Sequence, residues 1–201
     1  MTVTMLIALA TFCFASSITP GPNNMMLLAS GANFGLARTM PHLMGITIGF
    51  IIMILAMGFG LGSLFAAYPV LYTVLRVAST AYLLWLAWRI ATAGGINEHG
   101  AAAQPMTFLQ AAAFQWVNPK AWAYSLGIIS AFVAPDNFVI GLLLASLVAA
   151  VVMFPCMLTW TGFGTLLKRV LTHEWRLRAF NVTMALLLVA SIYPMMSDLI
   201  V

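Results

Sequence analysis

The strongest constraint on this chain is where its charges are missing. No Asp, Glu, Lys or Arg precedes Arg38, none lies between Arg38 and Arg76, and none lies between Asp136 and Lys168. Each interval is longer than the ~20 apolar residues that carry a helix across a bilayer. Over all 201 residues only 6% are charged and 63% are hydrophobic, whereas an ordinary soluble domain carries about 25% charged residues. A water-facing surface cannot be covered from that inventory, so the chain reads as an integral membrane protein. The runs are continuous, without the alternation and polar lumen positions of a barrel. Helices are then the spanning solution, because hydrocarbon offers no partner to an open backbone group. The first run ends in "CFASS", loosely like a cleavage site, but it lacks a positive leader and stays apolar beyond that point. It reads as the first membrane helix.

Six spans are expected, at about 4–30, 40–62, 69–91, 107–133, 138–162 and 178–199. Pro41 and Pro69 are placed in the first turn of their helices, where a missing N–H costs little. The stretch "ATAGGINEHGAAAQP" is the long polar loop. The chain thus reads as a single membrane domain, 1–201: a first three-helix unit at 1–92, a linker at 93–106 and a second unit at 107–201.

With six spans, Arg38, Arg89, Lys168, Arg169, Arg176 and Arg178 fall on one side, and Asp136 and Asp198 on the other with both termini. The positive-inside rule puts the basic side, the linker included, in the cytoplasm and both termini outside. The net charge of +4 follows from this topology and is no nucleic-acid signal. The segment "KRVLTHEWRLR" is expected along the cytoplasmic surface. The two cysteines, Cys13 and Cys156, sit in apolar runs; they make neither a disulfide framework nor a metal spacing. No metal or cofactor is expected.

The two halves resemble each other. Gly58-Phe59-Gly60 matches Gly162-Phe163-Gly164, and Ala81, Leu83 and Leu84 match Ala185, Leu187 and Leu188 at the same offset. Phe14 with Thr19-Pro20 matches Phe114 with Asn118-Pro119 at nearly that offset. Three helices per half is an odd number, so the second copy would enter the membrane from the opposite face. Inverted repeats with broken helices at matching positions mark transporters, and the breaks point to the substrate site.

The breaks carry the polar chemistry. Thr19-Pro20-Gly21-Pro22-Asn23-Asn24 interrupts the first span. Pro20 and Pro22 each remove a backbone donor, Gly21 permits unusual dihedrals, and the carbonyls freed near Ser16 to Ile18 need partners. Thr19, Asn23 and Asn24 can supply them or can hold a ligand. Asn118-Pro119-Lys120 sits at the corresponding depth of the fourth span. A half-helix starting after each break presents a positive dipole end suited to a carboxylate. Lys120 adds an intramembrane cation. It can anchor a carboxylate or act as a proton-coupling amine, or it can snorkel to an interface.

Arg76 either snorkels outward or serves gating or coupling. His42 is expected at the interface. Gln115 and Tyr124 are candidate polar members of the cavity wall. The Gly45-xxx-Gly49 and Gly58-xxx-Gly62 spacings suit close helix packing, within the chain or in a homodimer. No enzyme constellation is present: there is no Ser/His/Asp set, no paired carboxylates and no phosphate loop.

The segment "ITPGPNNMMLLASGANFGLARTMPHLMGITIGF", with "AYLLWLAWRIAT" and "FQWVNPKAWAYSLGIISAFV", resembles the LysE/RhtB family of amino-acid exporters, and within it the cysteine/O-acetylserine subgroup. The likeness spans nearly the whole chain, and TPGPN and NPK are its most specific parts. Ser79-Thr80 stands where the family often has glycine, which puts local helix packing in doubt. The resemblance implies an exporter of small neutral amino acids or derivatives in the bacterial inner membrane, driven by the proton gradient. It also implies a substrate site at Thr19, Pro20, Gly21, Pro22, Asn23, Asn118, Pro119 and Lys120. The alternative is a transmembrane thiol electron carrier, since distant relatives of that superfamily move reducing equivalents. It would need facing cysteines at the breaks, and Cys13 has no cysteine mate in the fourth span. A passive assembly subunit is a third reading.

Overall fold

The computed structural model describes residues 1–61, 64, 67–68, 70–92, 104–171 and 173–191. Pro69, Gly62, nearly all of the expected 93–106 linker and the end of the sixth expected span, with Asp198, lie outside the described residues. So does the side chain of Arg76, and with it the expected gating or coupling role.

The described residues contain no strand. Their α-helices are α1 (Val3–Ile18), α2 (Pro22–Phe34), α3 (Leu36–Ala56), α4 (Val70–Ala91), α5 (Phe108–Phe114), α6 (Pro119–Phe132), α7 (Phe138–Leu167) and α8 (Glu174–Ala190). A π turn, Met57–Leu61, prolongs α3, and 3-10 turns at Gln115–Val117 and Pro135–Asn137 precede α6 and α7. Three helical stretches are long and apolar enough to cross a membrane: Leu36–Leu61, Thr73–Ala91 and Pro135–Leu167. The pair α1 and α2, bent by 57° at their break, makes a fourth if it counts as one span. The stretch expected as the fourth span, 107–133, is not among these candidates; it holds two shorter helices, α5 and α6, the first only 7 residues long. The expected sixth begins at Glu174 with charged residues in its first turns.

Two expected boundaries move for local reasons. Helix α3 starts at Leu36, not near residue 40, because Gly35 alone separates it from α2. Gly35 has φ 81, a conformation that glycine adopts without steric penalty. Pro41 therefore lies inside the helix and not in its first turn. Helix α7 runs through Pro155 to Leu167, past the expected end near 162.

The distribution of side chains is that of a membrane protein. Polar groups are buried, among them Asn24, His42, Gln115, Asn118, Ser125 and Asn181, while Ile7, Val74, Trp88, Leu109, Ile140 and Phe163 are exposed. In lipid an apolar exterior carries no penalty, and buried polar groups act as interhelical glue. His42, expected at an interface, is only 1% exposed, and neither of its ring nitrogens has a hydrogen-bond partner among the described residues. The turn of α3 that carries it starts earlier than its position relative to Pro41 implied, so His42 faces into the bundle.

Helix α7 packs against α1, α2 and α3; α5 packs against α3, and α4 against α8. Glycines set the closest approaches. A Cβ on Gly31 would overlap the Thr161 carbonyl, and one on Gly164 would overlap the Leu28 carbonyl, so α2 and α7 touch backbone to backbone. Gly45 and Gly49 likewise admit Phe108 and Ala112 of α5. That stripe is therefore used inside the chain. The two matched glycine triplets differ locally: Gly60 has φ 125 with open space around it, while Gly164 is helical and packed.

These contacts separate two neighbouring glycines. Gly164→Ala should destabilise the protein by about 1–3 kcal/mol through overpacking, lowering the thermal unfolding midpoint in detergent. Gly162→Ala, which meets nothing within 4 Å, should not lower the midpoint and should raise it slightly, since Ala is the better helix former.

Candidate functional site

The first break is a hydrogen-bond problem that three other elements solve. Pro20 and Pro22 cannot donate, so the last carbonyls of α1 lose their helical partners. The Thr19 hydroxyl donates to the Ser16 carbonyl at 3.1 Å. The Asn24 amide donates to the carbonyls of Ser17 and Thr19, both at 2.8 Å. Trp160 Nε1, from α7, donates to the Ile18 carbonyl at 3.2 Å. Lys120 Nζ, from α6, donates to the Thr19 carbonyl at 2.8 Å, the Thr19 hydroxyl at 2.9 Å and the Pro20 carbonyl at 3.2 Å.

Gly21 serves a different end from the expected one. Its φ of 178 is extended backbone that any residue adopts, so unusual dihedrals are not why it is there. A Cβ at Gly21 would lie 2.7 Å from Lys120 Cδ and 3.1 Å from Nζ. Glycine here leaves the space that the lysine stem occupies.

The second break is tighter. A 3-10 turn over Gln115–Val117 leads to Asn118, which is extended (φ −95, ψ 107) and caps α6 by accepting from the Lys120 backbone N–H at 3.1 Å. Pro119 opens α6, where its missing donor costs nothing. Asn118 is buried, at 1% exposure.

The two breaks are joined side chain to side chain. The Asn23 amide donates to Gln115 Oε1 at 2.9 Å, and Gln115 Nε2 returns a bond to Asn23 Oδ1 at 3.3 Å. Tyr124 of α6 donates to the Cys13 carbonyl at 3.2 Å and lies 3.3 Å from the Ser17 hydroxyl. Between the breaks is a cavity of about 40 Å³. The first break contributes Ser16, Ser17, Gly21, Asn23 and Asn24, the second Asn118, Lys120, Ala121 and Tyr124, and α3 and α7 close it with Phe50, Met153 and Met157. Among the described residues, no acidic side chain lines it.

Of the predicted site residues, Gly21, Asn23, Asn24, Asn118 and Lys120 line this cavity, while Thr19 and Pro20 meet the Lys120 ammonium. Pro22 and Pro119 start their helices and are not among the lining residues. Tyr124 lines the wall, whereas Gln115 acts one step back through Asn23. Sequence reasoning missed Trp160, Phe50, Met153 and Met157. Trp160 had one legible signal: an indole N–H within an apolar span must find an acceptor. Cys13 and Cys156 are both free and buried.

Residues 14–191 match the LysE type translocator family. The chain belongs to this family. It is similar to the cysteine/O-acetylserine efflux proteins of Escherichia coli O9:H4 (strain HS), Escherichia coli (strain K12) and Shigella sonnei (strain Ss046). Each is 34% identical over 194 residues, covering 94% of this chain and 96% of the relative. No solved structure matches the chain. As a LysE type translocator with several apolar helices, it is a multi-pass membrane protein. The matched region contains both breaks.

Asn24 carries two of the bonds that repair the first break. Asn24→Leu keeps the branched shape and removes both donors, leaving the Ser17 carbonyl open. An unsatisfied buried group costs about 1–3 kcal/mol, so the unfolding midpoint should fall by several degrees. Asn23→Leu removes a single side-chain pair, of the kind worth about 0.6 kcal/mol on average in a membrane protein, and should shift the midpoint less.

Proposed function

We propose that this chain exports small amino acids with uncharged side chains across the bacterial inner membrane by alternating access, holding the substrate between the two helix breaks. The observation that carries the reading is the convergence of both breaks, distant in sequence, on one cavity. The uncapped start of α2 offers a positive dipole end, and with Lys120 it suits the substrate carboxylate. Asn23, Asn24 and Asn118 supply further polar contacts. Phe50, Met153 and Met157 make the opposite wall apolar, and a basic side chain would find no acidic partner in the lining. Leaving a charge unpaired in such a site is a strong basis for rejection. The names of the similar proteins point the same way, toward cysteine and O-acetylserine.

The reading includes six spans in two inverted repeats, with both termini outside. It is supported by the exchange of partners in the packing. The first broken segment, α1 and α2, packs on α7 of the second half. The second broken segment packs on α3 of the first half, and the last helices of the halves, α4 and α8, pack together. A two-fold relation in the membrane plane produces that pattern. Proton coupling belongs to the same proposal, with Lys120 as the intramembrane amine. The thiol electron carrier is not favoured, since the family and the relatives are translocators and efflux proteins.

The test is efflux from cells overexpressing the chain and preloaded with radiolabelled amino acids. Cysteine and O-acetylserine should leave faster than from control cells, and lysine and arginine at the control rate. Lys120→Ala should lower efflux at least about tenfold, the loss of one strong charge-assisted contact, while still inserting in the membrane. Equal efflux of every solute would indicate a channel, and control rates for the whole panel would refute export. In sealed vesicles, unlabelled substrate on one side should drive uptake of label from the other.

A further inference from the structure

The Lys120 ammonium is saturated before any ligand arrives. Its three N–H groups meet three oxygens of a single chain turn: the Thr19 carbonyl, the Thr19 hydroxyl and the Pro20 carbonyl, at 2.8, 2.9 and 3.2 Å. These oxygens lie at the C-terminal, negative end of α1, and the Asn24 amide fixes the Thr19 carbonyl from another side. Among the described residues no acidic side chain lines the cavity, so the oxygens that meet this ammonium are all neutral. Thr19 and Pro20 are exposed and Lys120 is half-buried, so the oxygens are not sealed in the core. The lysine reaches them from the other break, across the space left by Gly21. What remains of the cavity, about 40 Å³, holds roughly three waters.

Every common α-amino acid except proline carries a primary ammonium next to a carboxylate. We propose that Lys120 is a built-in stand-in for the α-ammonium of the substrate. In the empty carrier its ammonium holds the Thr19 and Pro20 oxygens. An arriving zwitterion takes those oxygens with its own ammonium, and Lys120 turns to the carboxylate. The number of N–H···O bonds to the break is conserved in the exchange, and the new ion pair favours it. A simple amine brings no carboxylate to receive Lys120, so it cannot displace the lysine. The identity of the occupant rests on the export reading, but the oxygen site itself does not.

The experiment compares purified wild-type protein with Lys120→Met and Lys120→Ala in detergent, using methylammonium chloride as the probe. Tetramethylammonium chloride, which has no N–H, is the control at equal concentration. Methylammonium should raise the unfolding midpoint of both variants by at least about 2 °C, the size expected for ligand-linked stabilisation of a chain this long. Tetramethylammonium should not, and the wild type should respond to neither. Adding Thr19→Val to Lys120→Met removes one of the three oxygens and should weaken the response without abolishing it. The proposal is overturned if the folded variants ignore methylammonium, if both salts act alike, or if the wild type responds equally. Failure of both Lys120 variants to fold would make Lys120 a fixed tie that no substrate displaces, and that too overturns it. The readout needs no transport. A chain that exports nothing yet shows the methylammonium response loses the export reading and keeps the oxygen site; the reverse result loses only the stand-in.

Discussion

Six consecutive carbonyls, Ala15 to Pro20, organise this molecule. A helix that stops in an apolar environment leaves them without partners, and each open group there costs several kcal/mol. All six are satisfied. Ala15 keeps a backbone bond from the Thr19 N–H, and the other five depend on side chains of Thr19, Asn24, Trp160 and Lys120. Those four donors sit on the break itself, α2, α7 and α6. Repairing one break therefore fixes the positions of three other helices around α1, and any motion of α1 against α6 or α7 must exchange these bonds for others. The same set that holds the fold together is thus the set that a transport cycle has to rearrange.

Local conformation was legible in the sequence. Two prolines around a glycine foretold that α1 ends near Thr19, and Asn118-Pro119 foretold the second break. The absence of charge foretold helices with lipid-facing surfaces. Partnership across the chain was not legible. Asn23 and Asn24 are adjacent and identical in chemistry, yet Asn24 repairs the break while Asn23 pairs with Gln115, 92 positions away. Nothing in the local pattern distinguishes them, because a helix turns 100° between neighbours and sends them to different faces. Trp160 and Met157 were hidden for a related reason: in a span apolar all round, periodicity does not say which face is inside.

Glycine shows the same limit in one letter. Gly35 is needed for its backbone conformation, Gly164 for the approach of α2, and Gly21 for the space that a lysine stem fills. Only the first of these is a property of the residue and its neighbours in sequence. The other two are set by residues about a hundred or more positions away. The TPGPN and NPK elements are separate in the chain, but structurally they are two parts of one contact. Gly21 removes the Cβ that would obstruct Lys120, and Lys120 supplies the donors that the TPGPN turn lacks.

That contact also accounts for lysine rather than arginine at this position. An ammonium is a compact point charge with three donors that can converge on oxygens from one turn. Here three acceptors meet three donors, and none is left over. A guanidinium presents five donors in a rigid plane. Matched to the same three oxygens it would have two N–H groups in excess, and its planar head cannot converge on one turn as an ammonium does. A residue chosen only to place positive charge at this depth could be either one. A residue that must fill an oxygen site completely, and then give it up to a group of the same size and donor count, is restricted to lysine.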